Sequence, residues 1–185
     1  MPMAKMATKD PSMALLIITV LSLVLGGTTT GLAAQRGQEL KALDKDQKKG
    51  PVALDFELIT VDGKVLRLSD LKGGPVFLDL MATWCSACRA EMPTLNASYN
   101  SHKDTVTFIS VGMDWFENDT QLRVFKNQYK AQWTFALDRD GQVFGAFYAS
   151  AYPTAILLDK DHRIVFRFEG ELDQSRLEAA LEKVA

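Results

Sequence analysis

The chain's only two cysteines stand two residues apart, Cys85 and Cys88, in the stretch 81–93, MATWCSACRAEMP. A pair at this spacing can serve as half of a metal site, as a structural staple or as a redox couple. A tetrahedral zinc site needs four ligands. No second C-x-x-C exists, and His102 and His162 fall in loop-like polar stretches, so no metal is expected. A staple closing so short a loop removes little unfolded-state entropy. What remains is reversible disulfide chemistry, which two thiols at this spacing carry out by closing a small ring.

That chemistry depends on the elements around the pair. Residues 75–82, PVFLDLMA, are apolar on both alternating faces, as in a buried central strand, and only Asp79 breaks the pattern. A helix then runs from Ser86 to about Tyr99, because Cys88, Met92, Leu95 and Tyr99 recur on one face. Pro93 lies inside it and should kink it. Cys85 therefore sits at a helix N-terminus, where free amide N–H groups and the helix dipole favour thiolate over thiol. Cys88 lies one turn in, on the apolar face, buried and placed to attack a mixed disulfide formed on Cys85. The C-x-x-C between strand and helix thus reads as a redox motif.

The rest of the chain supplies the scaffold. Two short strands flank Asp62-Gly63, a tight-turn pair, and Ser69–Leu71 forms a helical turn. Residues 105–113 form the next buried strand, and 119–129 an amphipathic helix capped by Asn118 or Asp119. A short strand (133–138), a short helix (142–148), a hairpin (154–159 with 163–170) and a closing helix (173–184) complete it. Strands alternating with helices, ending in a hairpin and helix, give an α/β fold with a mixed sheet.

Of the 185 residues, 47% are hydrophobic and the net charge is −2, which offers no basic footprint for nucleic acid. Residues 1–34 differ from the remainder. Lys5 and Lys9 precede an apolar run at 13–25 and the small-residue stretch TTTGLAA, the parts of a signal peptide. The uncharged stretch 11–35 is also long enough to span a membrane. Residues 1–34 are read as a signal peptide or membrane anchor, with the domain outside. Residues 35–50 are a charged linker, and 51–185 the folded domain.

The stretch FLDLMATWCSACRAEMP resembles the active site of thioredoxin-fold proteins, and of the TlpA/ResA-like group most closely. The resemblance runs from about Pro51 to the end. It implies a thioredoxin-like fold with an N-terminal β-hairpin extension, and an extracytoplasmic thiol–disulfide oxidoreductase of the cytochrome c maturation type. Cys85 matches the nucleophile and Cys88 the resolving thiol; no cofactor is implied. Pro153, in AYPTAILLD, matches the cis-proline that faces the disulfide; its plainer reading is a strand-edge proline. The backbone of Tyr152 would then pair with an extended substrate segment. Trp84 packs over the shoulder of the site or, alternatively, in the core.

Two acids match family positions. Asp79 corresponds to the buried acid of thioredoxin, and Glu91 to the acid of the cytochrome-maturation reductases. A carboxylate buried under Cys88 would have a raised pKa and could take and return the proton of Cys88. The other reading of Glu91 is a solvated helix residue paired with Arg89. The implied partners are protein disulfides, apocytochrome c among them, and a membrane thiol donor of the DsbD or CcdA kind. The departure is Ser86-Ala87, where thioredoxin has Gly-Pro; this dipeptide tunes redox poise. Two other classes fit less well. A peroxiredoxin-type thiol peroxidase resembles Pro-x-x-x-Thr-x-x-Cys, whereas here Thr83 stands only two residues before Cys85 and Met81 four before it. A non-enzymatic thioredoxin-fold metal carrier resembles C-x-x-x-C with a distant histidine.

Overall fold

The computed structural model describes residues 50–113 and 117–184. The expectations for 1–34 and for the linker through residue 49 lie outside the described residues.

The central strand forms where the apolar run demands it. β3 (Val76–Leu80) is buried along its whole length. Its apolar side chains Val76, Phe77, Leu78 and Leu80 are at most 1% exposed. At about 1.5–3 kcal/mol each, they stabilise the fold by on the order of 6–12 kcal/mol. Burying one carboxylate costs several kcal/mol, so the strand can carry Asp79.

Around β3 lie β1 (Glu57–Thr60), β2 (Val65–Arg67), β4 (Thr107–Met113), β5 (Thr134–Asp138), β6 (Thr154–Leu158) and β7 (Ile164–Glu169). They form one seven-stranded sheet in the order β2-β1-β5-β4-β3-β6-β7. The β3–β4 and β4–β5 pairs are parallel and the others antiparallel. This is the expected mixed sheet, with β1–β2 as the N-terminal hairpin. Gly63 closes that hairpin at φ 77°, a backbone region open to glycine at little cost.

Alternation sorts the β3 side chains onto two faces. Phe77 and Met81 join a core with Cys85, with Cys88, Met92 and Leu95 of α1 (Ser86–His102), and with Leu177 and Leu181 of α4 (Gln174–Leu181). Val76, Leu78 and Leu80 join a second core with Val143 and Phe144 of α3 (Gln142–Ala146). Asp79, between Phe77 and Met81, therefore faces the cysteine side.

Helix starts follow their caps. α2 (Asp119–Gln128) begins at Asn118, whose side chain accepts from Gln121 N–H while the Gln121 side chain accepts from Asn118 N–H. Asp173 caps α4 by accepting from Arg176 N–H at 2.8 Å.

The histidines depart from expectation. α1 runs a turn past Tyr99, and His102 is its last residue, with Nε2 2.7 Å from Glu178 Oε2. Ser98, fully buried on α1, donates to Glu178 Oε1 at 2.6 Å, so α4 holds the end of α1. His162 is in a loop but is buried in the β6–β7 turn, where Ala53 N–H donates to its carbonyl. Both sites depend on tertiary contacts that local sequence does not display.

Candidate active site

Cys85 and Cys88 close a disulfide with Cα atoms 5.3 Å apart. Cys85 is the N-cap of α1, in extended conformation, and its Sγ accepts from Cys88 N–H at 3.1 Å. The helix mouth is thus already aimed at this sulfur, the arrangement that stabilises a thiolate after reduction. The two sulfurs are not equivalent: Cys85 is 8% exposed and Cys88 1%. The guanidinium of Arg89 donates to the Trp84 carbonyl at 2.5 Å. Its positive charge is therefore held beside Cys85, not spent on Glu91.

The structure brings both candidate acids together on the cysteine side of the sheet. Asp79 is 3% exposed. Its Oδ2 accepts from Ser110 Oγ at 2.8 Å, and its Oδ1 has no hydrogen-bond partner among the described residues. Burial pushes its pKa up to about 7, with the Ser110 hydroxyl pulling the other way. Glu91 is equally buried, one helical turn beyond Cys88, and its Oε2 accepts from Leu172 N–H at 3.1 Å. Burial pushes it higher still, and the negative charge of Asp79 adds to the rise. The solvated reading of Glu91 therefore fails, because the segment before α4 folds over it.

A third buried acid escaped the sequence reading. Glu117 is 5% exposed, and its Oε1 accepts from Thr83 N–H at 2.7 Å, two residues before Cys85. Burial raises its pKa to about 7. Its Oε2 has no hydrogen-bond partner and lies against Gly112; a Cβ there would meet it at 3.1 Å and Leu122 at 2.9 Å. The available signal was a glycine inside a buried strand, which marks a close approach. Nothing in that signal names the approaching group.

The shoulder of the site is aromatic. Trp84 is 51% exposed, which excludes plain core packing. Its ring meets Tyr152 edge-on at 5.5 Å, and Tyr152 meets Phe144 at the same distance. The Tyr152 hydroxyl contacts Met113 Sδ at 3.6 Å. Burial and then the charge of Glu117 raise the tyrosine's pKa. The Tyr152–Pro153 peptide is cis, at the start of β6. Between the cysteines, Ser86 is exposed, and Ala87 is half-buried and packs against the core that holds the pair.

A reducible cysteine pair at a strand–helix junction, on a mixed sheet covered by helices, defines a thioredoxin-fold thiol–disulfide oxidoreductase. The Redoxin family matches residues 45–183, and the chain belongs to that family. Within it the chain is ResA-like. It is 34% identical over 142 residues to the thiol-disulfide oxidoreductase ResA of Bacillus thuringiensis (strain Al Hakam), covering 76% of this chain and 82% of that protein. ResA of Bacillus cereus (strain ATCC 10987 / NRS 248) is 31% identical over 170 residues, 92% of this chain and 96% of that one. Among solved structures, the exposed lipoprotein thioredoxin Etrx1 of Streptococcus pneumoniae strain TIGR4 matches with a TM-score of 0.61 and 30% identity, over 70% of this chain and 99% of that one.

Proposed function

We propose that the protein reduces protein disulfides outside the cytoplasmic membrane, with Cys85 as nucleophile. The observation that carries this reading is the asymmetry of the pair: Cys85 is the more exposed sulfur, at a helix mouth, and Cys88 is buried one turn into the helix. In the reduced protein, the Cys85 thiolate attacks a substrate disulfide. A mixed disulfide forms, the substrate S–S bond breaks, and one substrate thiolate leaves. Cys88 then loses its proton to the buried acid and attacks Cys85 Sγ. The Cys85–Cys88 disulfide forms and the second substrate thiol leaves, so two electrons pass to the substrate. Asp79 is the acid that takes the proton of Cys88. Glu91, held higher by burial and by Asp79, keeps its own proton and limits the negative charge below the pair.

The substrate docks beside Tyr152 and Pro153 by adding an extended strand, with the half-exposed Trp84 as a flank. In this reading residues 1–34 are a signal or anchor, 35–50 a tether and 51–185 the catalytic domain. Among the described residues no helix is long and apolar enough to cross a membrane. The similarity to the B. cereus ResA, at 170 residues, reaches into the N-terminal 50 and supports a shared leader. Etrx1, described as an exposed lipoprotein, supports the same placement. A thiol donor of the DsbD or CcdA kind would return two electrons to the pair, and apocytochrome c is the favoured substrate.

The test is a Cys88→Ser trap in oxidising cells, read by mass spectrometry of captured partners. Mixed disulfides on Cys85, with cysteine-containing exported proteins, are expected. Their absence, with the protein folded and exported, would overturn the reading.

A further inference from the structure

Asp79 has a defined backing. The parallel β3–β4 register sets Ser110 opposite it, and Ser110 is fully buried between Ile109 and Val111. Ser110 Oγ stands 2.8 Å from Asp79 Oδ2 and 2.9 Å from Trp133 Nε1. An indole N–H can only donate. Ser110 Oγ therefore accepts from Trp133, and its single proton goes to Asp79. Trp133 is itself held, 4% exposed, against Tyr99 at 5.4 Å and Phe135 at 5.8 Å. The hydroxyl thus has no free rotation to a different acceptor.

We infer that Trp133 and Ser110 are positioning residues that set the proton affinity of Asp79 and leave Oδ1 as its proton-carrying oxygen. A fixed donor on Oδ2 favours the ionised carboxylate and opposes desolvation. Without it, burial would hold Asp79 protonated through the neutral range, unable to accept from Cys88. Oδ1 is the oxygen with no partner. The groups around Asp79 are few. α1 brings Glu91, β4 brings Ser110, and β6 sets Ala155 opposite. The donor chain is therefore the main local counterweight to burial. The inference rests on the proposed role of Asp79 as proton carrier for Cys88.

The experiment is an NMR titration of the full-length protein, following the Asp79 carboxyl carbon and the indole ¹⁵N–¹H of Trp133. In the unaltered protein both signals should move with one shared midpoint. Ser110→Ala should raise the Asp79 midpoint by about one unit, the worth of one hydrogen bond to a charged group. It should also flatten the Trp133 response. Trp133→Phe, which frees the hydroxyl to turn, should raise the midpoint by a smaller amount. An Asp79 midpoint unmoved in both variants would overturn the inference. The pH profile of the resolving step separates the two ideas. If the carboxyl midpoint moves and the profile does not, the relay stands and the proton-carrier role of Asp79 falls.

Discussion

Two aspartates, on two strands parallel to β4, are buried in this protein and held in opposite ways. Asp79 on β3 receives one hydroxyl proton at Oδ2. Asp138, the last residue of β5 and fully buried, receives two backbone N–H groups at Oδ2, from Val143 and Phe144, each at 3.0 Å. Among the described residues Asp79 Oδ1 has no hydrogen-bond partner, Asp138 interacts with Asp140, and burial raises the pKa of both. The difference lies in what the occupied oxygen does. Asp138 ties the start of α3 to the sheet. Asp79 is held through Ser110 by a relay that tunes it, on the face of the sheet that carries the disulfide. Burial of an acid thus says little about its role until its donors are counted.

The largest expected effects lie at the redox end. Cys85→Ser should reduce disulfide turnover to the uncatalysed background in an insulin-reduction assay; retained activity would refute the nucleophile. Asp79→Asn should slow the resolving step about 10²-fold at neutral pH, while leaving the first attack within a few-fold. Asp138→Ala should do the reverse. It strands two buried N–H groups, which costs about 1–3 kcal/mol of stability in denaturant unfolding. Its turnover at a temperature where it is folded should stay within about twofold. A large turnover loss in folded Asp138→Ala would break the contrast.

The pH dependence of stability sharpens it further. Asp79 has a folded-state pKa raised from 3.8 to about 7. Its contribution to stability is therefore fully present below 3.8 and is lost as pH rises through about 7. Asn carries no such charge. Asp79→Asn should be more stable than the parent at pH 8, and the gap should close as the pH approaches 4. Equal melting differences at both pH values would contradict the raised pKa. Glu117 gives the smallest effect. Ionised, it sets a negative charge beside the Thr83–Cys85 loop, so Glu117→Gln should lower the midpoint of Cys85 alkylation by less than about one unit.

The redox end was legible because its information is local. A strand, C-x-x-C and a helical apolar stripe lie in sequence order, and Asp79 stood out as the one charge in an apolar run. Glu91 was only half legible. Its spacing from Cys88 was plain, but its burial comes from Leu172, 81 residues away. Glu117 was illegible, because only the fold brings it to Thr83, 34 residues back. Ser110 and Trp133 looked like ordinary strand residues until the β3–β4 register set Ser110 opposite Asp79. The helical place of His102 and the burial of His162 were missed for the same reason: their partners, Glu178 and Ala53, are distant in sequence.

Single-turnover mixing of the reduced protein with an excess of a disulfide-bonded peptide resolves attack by Cys85 from resolution by Cys88. The account predicts that Asp79→Asn slows only the second phase at pH 7 and that Asp138→Ala slows neither. Equal slowing of both phases by Asp79→Asn would show that Asp79 holds the site together and carries no proton.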